Sequence, residues 1–178
     1  MALQIVLSPD ERLREECEPI DQIDDDIKKL AQQMAKTMYK YEGCGIAAPQ
    51  VGVLKQLIVI DCDWGDTGKK NPIFLINPEI VEKSDDIITE CEGCLSIPGV
   101  SFEIERSRHV VVHARDLEGR LMQYDAKDGL FCRCLQHEID HLHGITMFER
   151  LKPQDRLSAV RAYHEALDNG AMPGDTEV

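Results

Sequence analysis

The sequence predicts an α+β fold: mixed, largely antiparallel β-sheets packed around a central helix, with one helix before them and one after. Three observations carry this. Apolar residues recur at helical spacing over residues 24–41, 130–143 and 153–167. Strand-like runs are gathered between residues 56 and 125 instead of alternating with helices, which separates α+β from α/β. At 178 residues the chain is long enough to bury one sizeable core, so residues 1–170 are expected to form a single domain.

Taken in order, the first helix presents Ile27, Leu30, Ala31, Met34, Ala35, Met38 and Tyr41 on one side. Asp21, Asp24, Asp25 and Asp26 favour its start through capping and the helix dipole, and Gly43 lies near its end. Residues 43–52 hold too much Gly and Pro for a regular element and are expected to be a shaped loop. Strands are expected at 56–61, 74–77, 100–105, 110–114 and 121–125, with Glu118-Gly119 turning between the last two. Gly144 stops the helix over 130–143. Pro153 opens the last helix, which ends before Asn169-Gly170. Residues 171–178, with Pro173 and Gly174, read as a flexible tail.

Composition bounds the function. A hydrophobic share of 43% and a charged share of 30% are those of a globular protein. No run of about 18 apolar residues predicts a membrane helix, and the first ten residues lack the basic start of a signal peptide. A net charge of −13 argues against binding nucleic acid through overall charge. Seven cysteines, an odd number, do not read as a disulfide framework; free thiols in a reducing cytoplasm fit better.

The central helix carries the chemistry. His137-Glu138-Ile139-Asp140-His141 is an H-E-x-x-H motif, and residues four apart on a helix project from one face, so both imidazoles can hold one metal ion. Glu138 can then reach a metal-bound water, not the metal. Two imidazoles fill half of a tetrahedral shell, so a third protein ligand is needed. Cys94 stands out for that role: Gly93 before it permits close backbone approach, and a divalent metal secures the thiolate. Cys91 offers an alternative, a closed Cys91/Cys94/His137/His141 site with no room for water. Cys132 and Cys134 are two apart, hence on different sides of the helix, and are expected to be buried small apolar groups. His109, His113, His143 and His164 are expected on strands or the surface.

Three segments together, Gly43-x-Gly45-Ile46-Ala47-Ala48-Pro49-Gln50-Val51-Gly52, Glu92-Gly93-Cys94-Leu95-Ser96 and Gln136-His137-Glu138-x-Asp140-His141, resemble in order the three signature motifs of the peptide deformylase family. The resemblance implies a hydrolase that removes the N-formyl group from the N-terminal methionine of new polypeptides and releases formate. It implies metal ligands Cys94, His137 and His141 with water in the fourth place. The ion it implies is one Fe(II), with Zn(II), Ni(II) or Co(II) as alternatives, since the donor set suits all four.

In that chemistry Glu138 serves as general acid and base, while the Gln50 side chain and the Leu95 backbone N–H hold the oxyanion. Cys44 and Gly45 would pair with the substrate as an added strand, with the Gly93 carbonyl facing its backbone and Ile46 a further substrate-binding residue. Cys132 and Leu135 would line the methionine pocket. Asp140 would orient a neighbouring group. Formylmethionyl peptides and nascent chains are the expected partners, in the cytoplasm and with a monomeric enzyme.

Two features depart from the family pattern. Many members carry an arginine soon after the Cys motif that holds the substrate backbone; here the first is Arg106. Transient ribosome contact through a basic C-terminal helix is a further expectation, but residues 149–178 carry four basic against six acidic side chains. A zinc endopeptidase and a non-catalytic closed metal site remain the competing readings.

Overall fold

The computed structural model describes residues 2–176. Helix α1 spans Asp25–Lys40. Its cap is Asp24, whose carboxylate accepts the Ile27 N–H at 2.9 Å, with Asp25 and Asp26 in the first turn. The acidic cluster therefore does the work of helix initiation.

Seven strands and four further helices follow: β1 (Gly45–Ala47), β2 (Leu57–Ile60), α2 (Trp64–Thr67), β3 (Ile73–Lys83), β4 (Ile87–Cys94), β5 (Ile97–Ser107), β6 (His109–Arg115), β7 (Leu121–Lys127), α3 (Gly129–Leu142), α4 (Met147–Arg150) and α5 (Pro153–Asp168). They form a five-stranded sheet, β1-β2-β3-β6-β7, and a two-stranded sheet, β4-β5. Every ladder between these strands is antiparallel.

At β1, β2 and the start of β3 the large sheet is buried on both faces. Leu57, Val59 and Ile76 pack toward α1, whereas Ile58, Ile60 and Leu75 pack toward α3. That is why β2 reads Leu-Ile-Val-Ile without polar alternation. Helix α3 is buried from Cys132 to Leu142, wedged between this sheet and the β4–β5 hairpin. The outer side of the hairpin is covered by α4 and α5 through Ile97, Ile104, Phe148 and Tyr163. The Tyr163 hydroxyl donates to the Ser8 carbonyl at 2.9 Å, tying the last helix to the N-terminal segment.

Three segments differ from the expectations. The 43–52 stretch holds β1 and a 3-10 turn over Ala48–Val51, because pairing with β2 satisfies a backbone that Gly and Pro leave otherwise irregular. Strand β4 was not foreseen: its side chains run Thr89-Glu90-Cys91-Glu92, polar on both faces. Residues 171–176, expected to be flexible, are held by partners. The Gly99 N–H donates to the Asp175 carbonyl at 2.7 Å, the Met172 N–H to the Asp175 carboxylate at 2.7 Å, and the Ala171 N–H to the Ala166 carbonyl at 3.0 Å.

Candidate active site

The helical spacing puts His137 and His141 side by side, ring centroids 5.0 Å apart. Cys94 ends β4, and the two-residue turn Leu95-Ser96 returns the chain to β5. One ligand atom from each of Cys94, His137 and His141 falls within 4.8 Å of the other two. The Cys94 Sγ faces His141 Nε2 at 3.4 Å. The expected trio is thus assembled, and Cys91 is not part of it: its side chain is exposed on β4.

A buried ionic chain stands behind the trio. Glu92 Oε2 contacts His137 Nδ1 at 2.8 Å, which leaves Nε2 for a ligand role. Arg106 grips Glu92 with two bonds, Nε at 2.8 Å and Nη2 at 2.9 Å, and Arg133 Nη1 adds a third at 2.8 Å. Arg106 also donates to Asp140, whose carboxylate is held in addition by Arg150. Burial pushes Glu92 up, but the bonds from Arg106 and His137 outweigh it and hold the carboxyl well below its usual range. Asp140 has the orienting position expected of it, acting through Arg106 and Glu92. Arg106 is 5% exposed and fully engaged, so it does not replace the absent substrate-holding arginine.

Glu138 is the opposite case. Its Oε2 is buried without a hydrogen-bond partner among the described residues, and burial raises its pKa to about 8. His141 Nδ1 is likewise buried and unpartnered, and burial lowers that imidazole to about 3. A neutral imidazole, a thiol and a second imidazole fixed by a carboxylate are the donor set of a single divalent cation, and these residues fit one.

Gln50 is 1% exposed. Its Oε1 accepts the Ala47 N–H at 2.8 Å, which aims Nε2 at Ser96 Oγ (3.3 Å) and Cys94 Sγ (3.5 Å). Leu95 lies in the adjoining turn with its side chain against the α1 core.

The trio opens into a cleft of about 230 Å³. One wall is Tyr41–Gly45, the other Cys91–Leu95. Both walls are strand edges. Cys44 accepts from Asp61 N–H at 2.8 Å, so by antiparallel alternation the N–H and C=O of Gly45 point away from β2. Among the described residues β4 pairs only with β5, and near Gly93 its register slips, with one residue of β4 facing four of β5.

Gly45 is required by contact: a Cβ there would lie 2.6 Å from both Cys134 Sγ and Glu138 Oε1. Cys44, Gly45 and Gly93 line the cleft as expected. Ile46, Leu135 and Cys132 do not. Ile46 is fully buried toward α1, Leu135 is fully buried in the α3 core, and the Cys132 thiol donates to the Ser107 and Arg108 carbonyls at 3.6 Å. Measured from His137, the same helix face carries positions three, four and seven earlier, so Leu130, Arg133 and Cys134 line the cleft instead.

The family model described as polypeptide deformylase matches residues 2–157. The chain belongs to the polypeptide deformylase family. It is 45% identical over 149 residues to peptide deformylase 2 of Gloeobacter violaceus, spanning 84% of this chain and 79% of that protein. It is 41% identical over 165 residues to the peptide deformylase of Hydrogenovibrio crunogenus, spanning 93% and 95%. Among solved structures, the Legionella pneumophila peptide deformylase superimposes with a TM-score of 0.87 at 38% identity, covering 95% of this chain and 97% of that one. A Synechococcus elongatus peptide deformylase in complex with actinonin superimposes with a TM-score of 0.83 at 40% identity, covering 94% and 86%.

Within this family frame, sequence reasoning missed Glu92 as the partner of His137, and with it Arg106 and Arg133. A signal existed: a ligating histidine needs an acceptor for its second nitrogen, and Glu92 lies two residues before the ligand cysteine.

Proposed function

We propose that this chain hydrolyses the formamide of N-formylmethionyl peptides, releasing formate and a free amino terminus. The observation that carries it is the unpartnered, buried Glu138 carboxylate beside the Cys94/His137/His141 trio, at the floor of a cleft with a strand edge on either side. A divalent cation held by the trio supplies Lewis acidity toward the formyl oxygen and lowers the pKa of water at the site. Iron(II) is the ion we assign, with zinc, nickel and cobalt as substitutes.

The chain's own residues do the rest. Glu138 takes a proton from the attacking water and delivers one to the departing nitrogen. The Gln50 amide and the Leu95 backbone N–H donate to the oxygen that gains charge. Glu92 holds the His137 ring, and Arg106, Arg133, Asp140 and Arg150 hold Glu92.

The peptide enters as a strand between the free edges of β1 and β4, meeting the Gly45 N–H and C=O on one side and the Gly93 carbonyl on the other. The methionine side chain packs on Leu130, Cys134 and the stem of Arg133. The head of that arginine is occupied by Glu90, Glu92 and the carbonyls of Ile88 and Ile104. No helix among the described residues is long and apolar enough to cross a membrane. A monomer acting on nascent chains in the cytoplasm, with transient ribosome contact, completes this reading.

The test is formate release from N-formyl-Met-Ala-Ser by anaerobically prepared iron or nickel enzyme, beside Glu138→Ala of equal metal content. Release that vanishes in the variant is expected. No release from folded, metallated wild type would remove the activity.

A further inference from the structure

The sulfurs of three thiols near the catalytic trio take no part in the bond making and breaking just described. Cys44 precedes β1, Cys62 follows β2, and Cys134 lies on α3, three residues before His137. Antiparallel pairing sets Cys44 opposite Asp61 and so beside Cys62, and the sheet lays both over Cys134. All three sulfurs lie within 4.8 Å of one another, and Cys44 and Cys134 are 3.9 Å apart. All seven cysteines of the chain are free.

We propose that Cys44, Cys62 and Cys134 form a second metal site, built of sulfur alone, for a thiophilic cation such as Cd2+ or Cu+. A metal–thiolate bond of about 2.3 Å places tetrahedral sulfurs roughly 3.8 Å apart, so the triangle closes on an ion with shifts of about 1 Å. Thiolates without imidazole or carboxylate select soft ions over the hard and borderline ones that the Cys94/His137/His141 trio accepts. An entry path exists, because Cys44 and Cys134 line the cleft.

Occupancy has a consequence. Cys134 and Glu138 press on Gly45 from the same side, so drawing Cys44 and Cys134 onto an ion shifts the wall that the methionine side chain packs against. The second site therefore makes the enzyme inhibitable by soft metals while its catalytic ion stays bound. This inhibition, though not the binding, rests on the proposed activity.

The test titrates nickel-loaded enzyme anaerobically with Cd2+. It follows the ultraviolet thiolate-to-cadmium absorbance, the bound nickel and cadmium, and formate release. One cadmium per chain is expected to bind with nickel retained and activity lost. Cys62→Ser, remote from the chemistry, keeps nickel and turnover and binds cadmium more than roughly tenfold more weakly, as expected on losing one of three ligands. Cys94→Ser loses nickel and keeps the cadmium.

Cadmium NMR of the wild type provides a readout independent of variant folding: an all-sulfur resonance is expected beside retained nickel. Cadmium that enters only by displacing nickel, or that binds Cys62→Ser and wild type alike, overturns the site. Normal cadmium binding to a protein that releases no formate sinks the activity and leaves the site standing.

Discussion

Two sulfur-bearing clusters lean on the same helix less than one turn apart, and their surroundings differ completely. Cys94, His137 and His141 sit inside a polar shell in which Glu92, Arg106, Arg133, Asp140 and Gln50 are each 8% exposed or less and hydrogen-bonded. Cys44, Cys62 and Cys134 pack among Ile58, Ile60, Ile73 and Leu135. The difference teaches that a set of ligand atoms becomes a reaction centre through what stands behind it. An imidazole with a fixed tautomer, a carboxylate left without a partner and an aimed amide donor are present at one cluster and absent at the other. The first can do chemistry on a bound molecule; the second can hold an ion.

The sharpest way to break this contrast is to remove the group that only the catalytic cluster has. Glu138→Ala is expected to lower turnover by about 10²- to 10⁴-fold, the range for positioned acid–base groups. Metal content should stay unchanged, and so should the Cd2+ equivalent at the three thiols. Because the carboxylate is buried without a partner, its removal should not lower thermal stability, and a scanning unfolding measurement checks this. A metallated Glu138→Ala enzyme with wild-type turnover would equalise the two clusters.

Gly45 packs against both Cys134 and Glu138, so Gly45→Ala strikes both clusters. The added methyl would overlap Cys134 Sγ and Glu138 Oε1, each 2.6 Å from its position. Displacing Glu138 by an ångström is expected to cost on the order of 10² in turnover. Cadmium binding should weaken in the same variant. Steady-state kinetics and metal titration on one preparation check both halves.

Within the catalytic shell, Gln50→Ala removes one oxyanion donor and is expected to cost about 3 kcal/mol of transition-state stabilisation, roughly a hundredfold in kcat. KM should change little. Glu92→Gln acts further back. It frees the His137 ring and leaves Arg106 and Arg133 facing a neutral amide, so metal affinity should fall about 10- to 100-fold. Stability should fall by roughly 3 kcal/mol, since a buried ion network has lost its central carboxylate. Competition with a chelator reads the first effect and denaturant unfolding the second.

How much of this was legible follows the physics of each segment. Helices α1, α3 and α5 declared themselves by apolar period and caps, within one or two residues of their ends. The catalytic trio, Glu138 and Gln50 lie in motifs whose spacing carries the chemistry. β4 stayed hidden because a strand whose inward side chain is Glu92 has no apolar alternation to read, and Glu92 points inward only because Arg106 and Arg133 arrive from β5 and α3. β1 stayed hidden because three residues are too few for a period. Ile46, Leu135 and Cys132 were misplaced by reading nearness in sequence as nearness to the cleft. Strand alternation turns Ile46 toward α1, and helix geometry turns positions two and five before His137 away from the metal. The three-thiol cluster needed the fold itself, since its members lie up to 90 residues apart.

The smallest expected effect concerns the C-terminal segment, which touches the catalytic side of the contrast. Residues 171–176 reach from β5, where Gly99 bonds to Asp175, to the end of α1, where the Gly174 backbone lies against the Tyr41 carbonyl. Gly174 and Thr176 line the same cleft as Gly45 and Gly93. The segment bridges the two cleft walls at their outer end, on a chain without an arginine just after the Cys motif to hold the substrate backbone. Deleting residues 171–178 removes one side of the passage through which a longer peptide leaves the metal. KM for N-formyl-Met-Ala-Ser is expected to rise about fivefold, the equivalent of roughly 1 kcal/mol of lost contact. The single-residue substrate N-formyl-Met should be unaffected. Cadmium binding should be unchanged, because the hydrogen bonds that hold residues 171–175 run to Ala166, Gly99 and within the segment, not to the three thiols. A fall in KM on deletion would make the segment an obstruction to be displaced by substrate, and the walls of the cleft would then be β1 and β4 alone.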